Sequence, residues 1–252
     1  MALGVMMTSI VAAVLCAASG TTIYDATLAE TTEKSVEIST AEMKQVLENK
    51  TAVVFDSRPA REYAVGHIPG VLNVAAKPGV PISVYVSDVK EIERTVKGDK
   101  ATAIVLYCNG PFCQKSKRLA GELLEAGFTN VRRYQLGMPM WRALVGVQQI
   151  ELEGLRYVLD NDKTSVLLDA RGTSDLAGAK GLAVADVKKA KDDGRLPMED
   201  HNTRVLVVGA NAAQARALAE TVAKEAFNNV AFFAGEASQV RGIAQGTRTA
   251  DK

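Results

Sequence analysis

The feature that most constrains this chain is a repeat. Short apolar runs alternate with amphipathic stretches, and the whole order occurs twice, about a hundred residues apart. The run ending Phe55-Asp56-Ser57-Arg58 returns as Leu168-Asp169-Ala170-Arg171. Ile104-Val105-Leu106-Tyr107 returns as Val205-Leu206-Val207-Val208, and Phe128-Thr129-Asn130-Val131 as Phe227-Asn228-Asn229-Val230. Helix residues Leu119-Ala120 reappear as Leu218-Ala219. A period this long marks a duplicated domain rather than a solenoid. Strands alternating with helices predict an α/β fold in which each copy is a parallel sheet flanked by helices.

Local signals place the elements. Ser39-Thr40-Ala41-Glu42 is a capping box, and Met43, Val46 and Leu47 follow it at helical spacing. A buried strand is predicted from Thr51 to Phe55, ending at Asp56, and a second from Ala101 to Tyr107, ending at Cys108. A helix is predicted from Gln114 to Glu125, with Leu119, Leu123 and Leu124 on one face and Gly127 as its stop. The boundary between copies is expected near Gly146 to Glu153, dividing the chain into domains 35–148 and 150–245, with a tail at 246–252.

Ahead of the repeat lie an uncharged leader, 1–22, and a small polar linker, 23–34. The apolar centre of the leader, Ile10 to Ala18, has the length of a signal-peptide core, and Ala17 to Gly20 supply small residues for cleavage. A basic n-region is missing, since no Lys or Arg precedes Lys34. Export to the periplasm with cleavage is the expectation, and retention of the leader as an anchor is the alternative. Leu15 stands where a lipobox needs a small residue before Cys16. Cleavage would leave two cysteines, Cys108 and Cys113, in an oxidising compartment.

Charge and composition narrow the function. The formal net charge is +1 and aromatics make up 5% of residues, which argues against a nucleic-acid partner. Three cysteines and two histidines are too few for a disulfide scaffold and argue against a zinc site.

Chemistry concentrates in Cys108-Asn109-Gly110-Pro111-Phe112-Cys113, between a strand and a helix. At such a junction successive backbone N–H groups face one concavity and the helix N-terminus adds positive potential. A cysteine at its mouth is favoured as thiolate. Lys115, Lys117 and Arg118 add positive charge nearby, Gly110 permits a tight turn, and Pro111 fixes one dihedral. The bland alternative is a buried cysteine ending a strand.

Asp56-Ser57-Arg58, Glu62-Tyr63 and Gly66-His67-Ile68-Pro69-Gly70-Val71-Leu72-Asn73 resemble the N-terminal signature of the rhodanese family. The Cys108 loop resembles its active-site loop, and Gly137 to Trp141 the segment that closes the domain. The resemblance is strong over about 35–146 and weak over about 155–242. It implies a sulfurtransferase with no cofactor. Cys108 would take a sulfane sulfur from a thiosulfate-like donor, hold it as a persulfide, and pass it to a thiol or cyanide-like acceptor. Asn109, Gly110, Pro111, Phe112 and Cys113 would bind the persulfide, with Gln114 and Lys115 as supporting residues. Asp56 and Arg58 read as a buried structural pair or as substrate contacts. His67 reads as a loop-fixing hydrogen bonder, Glu62 as an edge charge, and Trp141 as core, interface or pocket wall.

Two departures stand out. Cys113 occupies a position where the family more often has Arg, Thr or Ser. It is either a small filler or a second redox thiol, and a compact loop could meet the roughly 4.4–6.8 Å Cα separation of a disulfide. Two-domain relatives usually keep the cysteine in the second copy, whereas here Gly209 stands in its place, in a loop two residues shorter measured to the Leu-Ala pair. The second copy is therefore expected to be degenerate. Competing functions are a dithiol redox protein with a thiol-redox partner, and a non-enzymatic sulfur carrier. A cysteine phosphatase needs Arg six positions after its nucleophile, where this chain has Gln114.

Overall fold

The computed structural model describes residues 35–75 and 88–246. The expected leader and linker, and the tail from 247, lie outside the described residues. The described residues lie in one compact unit that holds two five-stranded sheets.

The first sheet comprises β1 (Val36–Glu37), β2 (Val53–Asp56), β3 (Leu72–Asn73), β4 (Ile104–Tyr107) and β5 (Val131–Tyr134), in the order β1-β5-β4-β2-β3. The second comprises β6 (Val147–Ile150), β7 (Val166–Asp169), β8 (Lys180–Gly181), β9 (Val205–Val208) and β10 (Val230–Phe233), in the order β6-β10-β9-β7-β8. The two orders are the same, position for position, and every strand pairing is parallel.

Both central strands, β4 and β9, are buried along their whole length, as parallel strands covered on both faces must be. Alternate residues of β4 serve different cores. Val105 and Tyr107 pack with Met43 and Val46 of α1 (Thr40–Asn49) and Trp141 of α5 (Gly137–Leu144). Ile104 and Leu106 pack with Ile92 of α3 (Asp88–Thr95) and with Leu119 and Leu123 of α4 (Gln114–Glu125). In the second sheet Val205 and Val207 meet Ala215 and Leu218 of α8 (Ala212–Ala223), while Leu206 and Val208 meet Leu155 and Val158 of α6 (Leu152–Asn161). α7 (Val187–Ala190) and α9 (Ala237–Gly246) complete the second lobe.

The lobes divide at Gly146, because β6 pairs with β10 in the second sheet. A boundary drawn at 148–150 would cut through that strand. The lobes meet through α2 (Ala60–Val65), which packs on α6. Gly154 makes this approach close, since a Cβ there would overlap the carbonyl oxygen of Ala64. The amide of Glu151 donates to the same carbonyl at 2.9 Å, and His67 and Gln149 exchange two backbone hydrogen bonds of 2.9 Å.

Candidate active site

β4 is the middle strand of its sheet and ends at Tyr107, so Cys108 emerges at the carboxyl edge, where open α/β sheets place their sites. Cys108 is 2% exposed. The following loop turns on a hydrogen bond from the Cys113 amide to the Gly110 carbonyl, 3.0 Å, with Gly110 at φ +107°. That conformation is open to glycine and strained for other residues. Phe112 is 92% exposed at the loop tip, Cys113 is half-buried, and Gln114 and Lys115 are exposed.

The loop is held from behind. The Met138 amide donates to the Cys108 carbonyl at 3.1 Å. Gly137, at φ +61°, lies so close that a Cβ would overlap that carbonyl and would stand 2.6 Å from the Gly110 amide nitrogen. Asn109 donates through Nδ2 to Glu62 Oε2 at 2.5 Å, which ties the loop to α2. Glu62, an edge charge by sequence alone, thus has a specific partner in the loop.

Cys113 is the N-cap of α4, and its side chain makes no capping hydrogen bond. The amides of Asn109, Gly110 and Phe112 likewise have no protein partner among the described residues. The first lobe thus keeps backbone donors and an uncapped helix terminus beside Cys108. In the second lobe side chains take two of the amides and cap the helix. There the loop is Gly209-Ala210-Asn211, Asn211 Oδ1 accepts from the Gln214 amide at 3.0 Å, and Gln214 Oε1 accepts from the Ala210 amide at 2.8 Å.

Cys108 and Cys113 are joined as a disulfide, with Cα atoms 6.2 Å apart. This lies in the range that a disulfide spans without backbone movement.

Asp56 and Arg58 are buried and face each other. Arg58 donates through Nε to Asp56 Oδ1 at 3.0 Å, and through Nη2 to Asp56 Oδ2 at 2.6 Å and the Gly66 carbonyl at 2.7 Å. The Tyr107 hydroxyl donates to Asp56 Oδ2 at 2.7 Å and accepts from the Ile68 amide at 3.2 Å. Burial, and then the Asp56 charge, push the Tyr107 phenol well up. This network anchors the 66–73 segment behind the sheet edge, and none of its hydrogen bonds reaches the Cys108 loop. The positive charge expected from α4 is partly engaged elsewhere. Arg118 pairs with Glu122 at 3.2 Å, and Lys115 and Arg118 both act electrostatically on Asp88. Trp141 is core, donating to the Val147 carbonyl at 2.9 Å.

His67 is buried, and its Nδ1 lies 2.9 Å from the Tyr63 carbonyl, so that nitrogen carries the proton. Its ring stacks on Tyr63 at 3.8 Å. Burial lowers its pKa to about 4. Glu151 Oε1 lies 3.6 Å from Nε2, beyond hydrogen-bond reach, and does not offset that burial.

Residues 39–144 match the family model of the rhodanese-like domain, from the N-cap of α1 to the last residue of α5, with the Cys108 loop inside. This segment is a rhodanese-like domain. An HTH-type transcriptional regulator of Mycobacterium tuberculosis is similar at 32% identity over 105 residues, covering 42% of this chain and 41% of its own. A tRNA uridine(34) hydroxylase of Buchnera aphidicola is 25% identical over 133 residues, covering 52% and 40%. The chain therefore spans about two-fifths of the length of these curated relatives. Among solved structures, a thiosulfate sulfurtransferase from Pseudomonas aeruginosa overlaps 81% of this chain and 42% of its own, at 19% identity and a TM-score of 0.37. A rhodanese-like domain from Anabaena overlaps 48% and 82%, at 20% identity and a TM-score of 0.35. Within the rhodanese-like domain of this chain, the nucleophile candidate and the unpartnered amides fall on one loop.

Proposed function

We propose that the chain is a sulfurtransferase whose rhodanese-like domain works through Cys108. A thiosulfate-like donor gives its sulfane sulfur to the Cys108 thiolate, and the persulfide then gives it to a thiol or cyanide-like acceptor. The observation that carries this reading is the contrast between the two strand-to-helix loops. The first combines a cysteine, unpartnered amides and an uncapped helix, which together stabilise a thiolate or persulfide anion. The second has no cysteine, and side chains occupy two of its amides. No separate base is needed, because the thiolate is itself the nucleophile. Asp56 and Arg58 support the scaffold and touch no substrate. Cys108→Ser is expected to abolish thiosulfate-dependent thiocyanate formation while leaving the unfolding midpoint, measured under reducing conditions, close to wild type. Normal turnover in that variant would refute the assignment.

The disulfide favours a second reading, a dithiol redox protein with a thiol-redox partner. Reduction of a protein disulfide by the chain in the absence of any sulfur donor would support it. The second lobe is proposed to be a degenerate copy that adds structure and no turnover. Export is likewise proposed, from the apolar leader alone. Protein recovered from its host is expected to begin near residues 18–22, and an intact Met1 on cytoplasmic protein would end that proposal.

A further inference from the structure

Sulfur transfer to an external acceptor makes no use of Cys113, yet the structure bonds its Sγ to the Sγ of Cys108. In a Cys108 persulfide that same Sγ is the inner sulfur. The Cα separation of 6.2 Å shows that the loop brings the two sulfurs together. The two thiols also differ in access. Cys108 is buried at 2% exposure, whereas Cys113 is half-buried beside the exposed Phe112.

We propose that Cys113 is a resolving thiol, which discharges the persulfide as hydrosulfide and makes a dithiol the second substrate. The inference rests on the Cys108 persulfide reading. Loading breaks the sulfur–sulfur bond of thiosulfate: the Cys108 thiolate takes the sulfane sulfur, and sulfite leaves. Next, the Cys113 thiol loses its proton and attacks the inner sulfur. The bond between Cys108 Sγ and the outer sulfur breaks, and the outer sulfur takes the proton and departs as hydrosulfide. Both cysteines are thereby oxidised to the disulfide, and the transferred sulfur is reduced. An external dithiol then reduces the disulfide and becomes a disulfide itself. Over one cycle, thiosulfate and a dithiol become sulfite, hydrosulfide, a proton and the oxidised dithiol. The accessible sulfur for that reduction is Cys113. Attack there expels Cys108 as a thiolate among the loop amides, ready for the next donor.

The experiment uses the full chain, reduced and desalted, loaded with thiosulfate and held without acceptor. Wild type is expected to release hydrosulfide and lose the alkylatable thiols of Cys108 and Cys113, with Cys16 still alkylated. Cys113→Ser and Cys113→Ala are expected to lose hydrosulfide release and to retain the mass of one added sulfur on Cys108. Retention of the persulfide by wild type for as long as by the variants would overturn the role of Cys113 and leave the transfer reading standing. Absence of any added sulfur in all three proteins would bring down the transfer reading and this inference together.

Discussion

At the scale of single residues, burial sorts chemistry from scaffold. Asp56, Arg58 and Tyr107 are ionisable, adjacent in space and close to the sheet edge, which would qualify them as a site in many folds. Their hydrogen bonds are all taken by one another and by backbone. Removing one partner from such a network leaves a buried polar group unsatisfied, so these residues are held by stability. His67 belongs to the same scaffold and gives it a pH dependence. Its folded pKa, about 4, lies below the ordinary value of 6.5 because burial disfavours the imidazolium. The unfolded chain therefore takes up the proton first as pH falls. Stability attributable to this group is complete above pH 6.5 and is lost as pH falls toward 4, by about 3 kcal/mol at most. Urea unfolding followed across that range should show the loss in wild type and a shallower profile in His67→Phe. Parallel profiles would show that His67 is protonated in the fold.

At the scale of elements, the start of α5 decides whether the loop can close. Gly137→Ala would place a methyl group against the Cys108 carbonyl at a backbone conformation that suits glycine. It is expected to abolish persulfide loading, read by mass after thiosulfate treatment, although the residue contributes no side chain. Elements set by local chemistry were legible in advance. The capping box formed as read, with Glu42 accepting from the Ser39 amide at 2.8 Å, and α4 runs from Gln114 to Glu125 as its leucine spacing indicated. The strand expected from Ala101 is shorter, beginning at Ile104, because Asp99 holds the Ala101 amide and the Thr102 hydroxyl in a turn. β2 starts at Val53, since the Thr51 amide still bonds to Val46 at the end of α1. Polar Gln148 and Gln149 hid β6, whose identity comes from its partner β10. Of the candidate site, the cysteine and the loop that carries it could be read from residue types and order. The Asn109–Glu62 contact, the backing by Gly137 and the absence of a cap on α4 arise from approach in space, which no local pattern encodes.

At the scale of the whole molecule, the Cys108 loop is tied to the second lobe through the short helix α2. α2 carries Glu62, which holds Asn109, and its last turn rests on Gly154 of α6. A bulkier residue at 154 should therefore be felt in both lobes. Gly154→Val is expected to lower stability by about 1–3 kcal/mol, the usual cost of overpacking, and to reduce thiosulfate turnover in the folded protein. Urea unfolding and steady-state assays on the same preparation test both effects. An unchanged turnover in stably folded variant would show that the lobes are mechanically independent.

The strand-to-helix loop of the second lobe leaves little space for a nucleophile. A nucleophile introduced by Gly209→Cys would begin with its Cβ 3.0 Å from the Ala215 amide nitrogen and 3.1 Å from Gln214 Oε1. It would find the Ala210 and Gln214 amides already occupied. Installing a site there needs a longer loop and the removal of two side chains that close the helix, and the loss of such a cap costs stability. The polar groups of this loop serve the start of α8 rather than a bound sulfur anion.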